Sequence, residues 1–275
     1  MTDVTLTASS RQTLFQIQRS ADLRQQTTQR IASGQRVSRA SDDPPAYFQA
    51  RGLSNRVADL LQTRNGIGQA LSAVESAQIG VEAISELSNQ LKGLALSVQG
   101  ADAASRQATA EQFDVLRGQL ASLAADAGLG GVNLLENSQT TLSVALNETG
   151  TATAPVHGAA SDPTSLGIGT AAGSFNNFSS DADITSAVSQ IDGALSALRS
   201  SAAGFGSNIA LLNTRNTLNR NLGNTLQGGA DKLVNSDLNE ESARQLSLQL
   251  SQKLGVLDLS LAARNDRLVS DLIAG

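Results

Sequence analysis

The feature that most constrains this chain is the heptad-like spacing of its apolar residues. From Ala46 they fall at Ala50, Leu53, Val57, Leu60, Ile67, Leu71, Val74, Val81, Ile84, Leu91, Ala95 and Val98, in steps of three and four with a few skipped slots. That period is one face of an α-helix. Kept for about 55 residues, it predicts a helix roughly 80 Å long that must pack on other helices. Asp43 is placed to cap it, Pro44 fits its first turn, and Ser41 and Asp42 lead in. Gly66, Gly68, Gly80 and Gly93 weaken such a helix unless packing compensates.

A second seam runs through Ile184, Val188, Ile191, Leu195, Leu198, Ala202, Phe205, Ile209 and Leu212. After polar slots at Asn216 and Asn219 it resumes at Leu222, Leu226 and Ala230, and Gly228-Gly229 and Asn235-Ser236 predict a break or hinge. A last helix starts with Asp237 and Glu240 in capping-box-like spacing. Its stripe is Ala243, Leu246, Leu250, Leu254, Leu257, Leu261, Leu268 and Leu272, with Leu248 and Leu259 off that line. A helix apolar on more than one face needs several partners. The N-terminal end mirrors this with Leu14, Ile17, Ala21, Thr28 and Ile31, Arg24 filling the skipped slot. A shorter helix is expected over 105–126, with the stripe Thr109, Phe113, Leu116, Leu120 and Leu123, ended by Gly128, Gly130 and Gly131.

Residues 133–180 differ in character. Leu142, Val144 and Leu146 alternate with small residues, Glu148-Thr149-Gly150 forms a turn, and Thr151, Thr153 and Val156 return as a hairpin. The rest is small and polar, so this stretch is expected to be a surface excursion holding little core. The fold class is therefore mainly α: a long antiparallel helical bundle or coiled-coil rod with a small β-hairpin region at its tip. The chain folds back at 133–180, and its first and last helices lie side by side.

Composition narrows the function. Only 3% of residues are aromatic, which suits thin helix-on-helix packing more than a stacked ligand pocket. The net charge of −5 comes without a basic cluster, so neither nucleic acid nor an anionic membrane surface is an expected partner. With no cysteine and one histidine, Cys/His zinc sites and thiol chemistry are excluded. The N-terminus reads as no cleaved signal peptide, and no run of 18 apolar residues predicts a membrane span. A long thin bundle with a two-faced terminal helix is marginal alone, and repeated identical contacts that do not close would stabilise it as a helical filament.

Three blocks then resemble bacterial flagellin. Arg30 to Pro45, R-I-A-S-G-Q-R-V-S-R-A-S-D-D-P-P, is similar to the family's N-terminal block, with Arg30, Ser33, Gly34, Asp42 and Asp43 on matching positions. Gly130 to Leu135 resembles the Asn-x-Leu-Leu strand entry, and Leu233 to Ala262 the C-terminal block with its Asp-Leu-x-x-Glu-Ser-Ala opening. The spacing around Glu82 to Val98 is most similar to the compact flagellins of alphaproteobacteria.

The resemblance implies a filament subunit without cofactors or catalysis. Residues 1–43 plus 234–275 would form an inner terminal-helix domain, and 44–233 an outer helical core domain including the tip at 133–181, with no large further domains. Packing between copies would use Leu14, Ile17, Arg30, Ser33, Gly34, Asp42, Asp43, Leu246, Leu250, Leu254, Leu257, Leu261 and Leu268. The implied partners are many copies of the chain itself, an export chaperone covering roughly 243–272, the hook-associated cap and junction proteins, and the type III export apparatus; a disordered N-terminal stretch would suit export. The expected location is the extracellular filament. Three departures stand out. Arg264 to Arg267 is more charged than the usual Asn/Gln-rich ending, and Lys92-Gly93-Leu94 lacks the Arg-x-Arg-Glu-Leu pattern of innate-receptor recognition. Asp42-Asp43-Pro44 also suits the related hook–filament junction proteins. A surface binding protein using the tip is a third reading.

Other chemistry finds little support. Asp42 and Asp43 lack a third acid or histidine for metal or acid–base work, so capping and an intersubunit ion pair with an arginine are expected. His157 has no nucleophile pattern around it, and the glycines at 128–131 and 204–206 do not follow a strand and open a helix as a phosphate loop requires. Thr149, Thr151, Thr153, Ser161, Ser174 and Ser179 are candidates for O-glycosylation; the Asn147 and Asn177 sequons are read as chance. The polar slots Arg24, Arg64, Asn216 and Asn219 are either solvated gaps or register marks.

Overall fold

A computed structural model describes residues 8–274 of the chain. The expected disorder of the N-terminal stretch falls, over residues 1–7, outside them. The elements are α1 (Ala8–Ser33), α2 (Pro44–Leu96), α3 (Ala103–Asp126), β1 (Thr141–Ala145), β2 (Thr153–His157), α4 (Ala171–Ser174), a 3-10 turn (Asn176–Phe178), α5 (Asp181–Val234) and α6 (Leu238–Ala274). They form two compact units: Met1–Asn55 with Thr225–Gly275, and Arg56–Asn224. The fold is mainly α with one small antiparallel hairpin, as the periodicity predicts.

In the unit Arg56–Asn224, α2, α3 and α5 share a core along the predicted seams. Ile67, Val74, Val81, Ile84 and Leu91 of α2 meet Phe113 and Leu120 of α3 and Ile184, Ile191, Leu198 and Leu212 of α5, all fully buried. Lys92 pairs with Asp192 and Arg64 with Asn216, which fixes α2 and α5 as antiparallel. Asp102 caps α3 by accepting from the Ser105 amide at 2.8 Å. Gly80 is where α2 takes a close neighbour: a Cβ there would lie 2.6 Å from Leu135 Cδ1 and 2.8 Å from Ala127 Cβ.

The middle of the chain corrects the expectation of little core. Leu134, Leu135, Val144, Leu146, Val156, Ile168, Phe175 and Phe178 are all buried there. Phe113 packs edge-on against Phe175 and Phe178, with centroids 6.0 and 5.4 Å apart, and the latter two rings stack. Half of the chain's six phenylalanines thus form one cluster, which its low aromatic content conceals. The turn that delivers Phe178 holds Asn176, Asn177 and Phe178 at φ of 44, 53 and 59°, a left-handed run disfavoured for residues with a Cβ. Arg106 holds that turn. Its guanidinium donates to the carbonyls of Ala101 and Phe178 and pairs with Asp181.

The hairpin pairs Leu142 with Val156 and Val144 with Ala154, burying the predicted inward set. Asn147 closes its turn, accepting from the Ala152 amide and donating to the Thr149 and Thr151 hydroxyls. No break occurs at Gly228-Gly229. α5 runs on to Val234, and Gly229 faces Leu53, so packing overrides the low helix propensity of glycine.

In the unit formed by the chain ends, α1 and α6 pair antiparallel, with Thr13 beside Asp258 at one end and Arg30 beside Glu241 at the other. Of the expected α1 line, Ile17, Ala21 and Ile31 are half-buried, while Leu14 and Thr28 are exposed and Thr27 is buried in place of Thr28. On α6 the facing line is Glu241, Gln245, Leu248, Gln252, Gly255, Leu259 and Ala262, each buried or half-buried. Ile17 fills the gap over Gly255, where a Cβ would meet Ile17 Cγ1 at 2.9 Å.

Candidate functional site: an assembly surface

Residues 34–43 connect α1 to α2, and 235–237 connect α5 to α6; the two connections are strapped together. Gly34, at φ +69°, ends α1 in the left-handed conformation that glycine adopts freely. Its carbonyl accepts from the Ser236 amide at 2.9 Å. The Arg36 and Val37 amides donate to the Val234 carbonyl at 2.7 and 3.1 Å, and the Arg36 guanidinium donates to the Leu233 carbonyl at 2.9 Å. Those carbonyls are the unpaired acceptors at the C-terminal end of α5, where a cation also opposes the helix dipole.

The two acids have separate tasks. Asp42 accepts from the Ser38 and Arg39 amides and the Ser38 hydroxyl at 3.0–3.1 Å. These bonds, the Ser38 amide first, hold its carboxyl below the ordinary carboxylate range. Asp43 caps α2 through the Ala46 amide and pairs with Arg36 at 3.6 Å. Capping was the expected role, and the arginine partner lies within the same chain. Ser33 Oγ accepts from the Gln35 amide at 3.2 Å beside Gly34.

Arg30 ties α1 to the start of α6. It meets Glu241 at 3.2 Å, and the Glu241 side chain is only 6% exposed. Arg244 approaches the same carboxylate oxygen at 3.8 Å. Asp237 caps α6 by accepting from the Asn239 and Glu240 amides, but Glu240 turns to Arg244 instead of completing a capping box. Arg36 and Glu241 escaped sequence reasoning. Arg36 sits beside recognised positions and Glu241 is the Glu of the Asp-Leu-x-x-Glu-Ser-Ala motif, but only the tertiary pairing gives each its partner.

The leucine stripe of α6 points away from α1. Leu246, Leu250 and Leu254 are 68, 58 and 57% exposed, and Leu257, Leu261 and Leu268 are likewise exposed. The two residues read as off the stripe, Leu248 and Leu259, are the ones on the α1 side. On α1, Ile17 is half-buried against Gly255, whereas Leu14, Phe15 and Leu23 are exposed. The terminal helices therefore meet along a seam that mixes polar residues with Ile17, Leu248 and Leu259, and leave the α6 leucine stripe and Leu14, Phe15 and Leu23 of α1 outward.

His157 sits on the exposed face of the hairpin beside the Thr141 hydroxyl at 3.2 Å. A groove of about 700 Å³ lies between α2 and the hairpin, and its acids are Asp59 and Glu148, the latter paired with Arg56 at 2.7 Å. Among the described residues no group of three or more His, Cys, Asp or Glu is placed to hold a metal, and no helix is long and apolar enough to cross a membrane. Of the glycosylation candidates, Thr149, Thr151, Thr153, Ser174 and Ser179 are exposed. Ser161 is a correction: it is 1% exposed, and its hydroxyl donates to the Ala159 carbonyl. Of the polar slots, Arg24 is exposed, while Arg64 bonds Asn216 and Asn219 is buried.

Comparison with known proteins matches this picture. Residues 4–140 match the bacterial flagellin N-terminal helical region. The chain is 29% identical to flagellin FljM of Caulobacter vibrioides over 90% of its own length and 89% of that protein's. It is 30% identical to flagellin FljO of the same organism over 85% of each chain, and 27% identical to a flagellin of Brucella melitensis over 98% of its own length and 99% of that protein's. With a relative 30% identical over 85% of each chain, the chain belongs to the bacterial flagellin family.

Proposed function

We propose that this chain builds the flagellar filament by laying the outward leucine face of α6, and the Leu14, Phe15 and Leu23 side of α1, against neighbouring copies. As a flagellin it is a structural subunit of an extracellular filament. The observation that carries the packing proposal is the exposure of Leu246, Leu250, Leu254, Leu257, Leu261 and Leu268 on a helix whose other side is already occupied by α1. Apolar surface so arranged stabilises an assembly far more than the single chain.

In this reading residues 1–43 with 234–275 form the inner domain and 44–233 the outer domain. The straps between residues 34–37 and 233–236 lie within the compact unit Met1–Asn55 with Thr225–Gly275 and tie together the two connections at which those segments meet. Arg30, Ser33, Gly34, Asp42 and Asp43 act there by holding that junction in shape. Before assembly the same leucine face is the surface for an export chaperone over 243–272. Cap and junction proteins meet the assembled copies, and the chain leaves through the type III apparatus. The exposed Thr149, Thr151, Thr153, Ser174 and Ser179 are the hydroxyls available for glycosylation. The role is structural, and catalysis has no place in it.

The test is polymerisation of the purified chain on filament seeds, viewed by electron microscopy. Long helical fibres made of this chain alone are expected. Monodisperse protein under every seeding condition contradicts the proposal and favours a junction protein.

A further inference from the structure

The skipped slots of the two long seams meet. Arg64 on α2 donates from Nε to Asn216 Oδ1 on α5 at 3.0 Å. One turn along α5, Asn219 is 4% exposed and donates to the Leu146 carbonyl at the end of β1, at 3.0 Å. The hairpin turn is bound to α2 as well: Thr63 Oγ1 reaches the Asn147 carbonyl at 3.4 Å, and Arg56 pairs with Glu148 at 2.7 Å. One polar layer therefore links three elements of the unit Arg56–Asn224.

Away from this layer the seams are repetitive. The α5 residues Ile184 to Leu212 are apolar at every step of three or four, and the α2 residues Ile67, Val74, Val81, Ile84 and Leu91 offer similar partners. Two such faces can be slid by one heptad and still bury comparable apolar area, so area alone discriminates poorly between alignments. The polar layer does discriminate. In the observed antiparallel alignment Asn216 faces Arg64. A slide of one heptad sets Asn216 against Val57 or Leu71, leaving an amide without its partner among apolar side chains, and it removes the Asn219 donor from the Leu146 carbonyl.

We propose that the layer of Arg64, Asn216 and Asn219 sets the alignment of α2 against α5 and locks the hairpin turn to that alignment. The hairpin then cannot shift unless the helix pair shifts with it. Arg64, Asn216 and Asn219 are positioning residues in this device, and they favour one alignment at the expense of apolar burial. Of the two readings open at the sequence level, register marks or solvated gaps, the geometry favours the first for these three.

The absence of native cysteine makes the test clean. Lys92 and Asp192, whose charged groups lie 2.6 Å apart, report the native alignment when both are replaced by cysteine and bridged with a short bis-maleimide. Lys92→Cys with Arg199→Cys, or with Thr185→Cys, reports a slide of one heptad in either direction. In the otherwise native chain only the first pair bridges. With Arg64→Leu, Asn216→Leu and Asn219→Leu, bridging of a shifted pair is expected to rise about tenfold while helicity by circular dichroism is retained. A folded triple variant that bridges only through the 92/192 pair overturns the proposal. The single variant Asn219→Leu provides a second readout if the triple variant does not fold. Hydrogen exchange of the hairpin amides, residues 141–157, is expected to quicken about tenfold while that of 184–212 is unchanged. Hairpin exchange at the native rate overturns the lock.

Discussion

Replacing Leu250 and Leu254 with glutamine tests the outward face of α6 without touching the monomer. Glutamine has nearly the helix propensity of leucine, so α6 itself is little perturbed. Burying a whole leucine contributes about 1.5–3 kcal/mol. The two side chains are 58 and 57% exposed in the single chain, so slightly more than half of that remains to be gained on assembly. The loss is then about 0.9–1.7 kcal/mol at each position, or about 1.7–3.4 kcal/mol for a copy carrying both changes. Burying the glutamine amides adds to it, so this is a lower bound. The critical concentration for seeded growth, measured by sedimentation, should rise roughly 20- to 300-fold. The thermal midpoint of the unassembled chain should barely move, since exposed substitutions usually stay within about 0.5 kcal/mol. A critical concentration within about twofold of the native chain would refute the reasoning. A large fall in monomer stability would do so too, because it would show that these leucines act inside the subunit.

Arg30→Ala removes the partner of a carboxylate whose side chain is 6% exposed, and with Arg30 itself about a third exposed the cost should be about 1–3 kcal/mol; chemical denaturation measures it, and Glu241→Gln in the same chain should restore part of the loss. Gly80→Ala should destabilise despite a helix-propensity gain of about 1 kcal/mol, because the new methyl meets Leu135 and Ala127, whereas Gly68→Ala, with nothing within 4 Å of its Cβ, should stabilise by about that amount in the same assay. Acid should loosen the fold. Asp42, through the Ser38 amide, and Asp181, through Arg106, titrate below their ordinary value of 3.8. Their stabilising effect is therefore complete well above pH 3.8 and is lost as pH falls through the lower folded values. Asp42→Asn and Asp181→Asn should each flatten the fall in thermal midpoint between about pH 5 and 2.

The helices were legible because their cores are seams, and Ile67, Val74, Ile191 and Leu198 are buried where the spacing put them. The cap at Asp43 was legible for a local reason: a short acid before a helix has a backbone amide within reach. The aromatic cluster was not. Phe175 and Phe178 flank and end a left-handed run with no period, and Asn176 and Asn177 disguise it as polar loop. The direction of the α6 stripe was not legible either. A helix apolar on several sides does not say which side its own chain fills, and here a line built around Gly255 and Gln252 takes α1 while the leucines remain outside. The straps made by Arg36 were hidden because the acceptors are backbone carbonyls almost 200 residues away in sequence, and backbone groups leave no mark on composition. At the polar slots, position was readable and partner was not; Asn219 proved to bind a hairpin carbonyl rather than a helix.

The most direct measurement of the central claim is thiol protection on the outward face of α6. With no native cysteine to interfere, Leu257→Cys, at a position 55% exposed in the single chain, carries the only reactive thiol. Maleimide labelling should be rapid in the monomer and slowed about a hundredfold or more in the filament, as a buried interface requires. Equal labelling rates in monomer and filament would show that the leucine face stays in solvent after assembly, and would contradict the account.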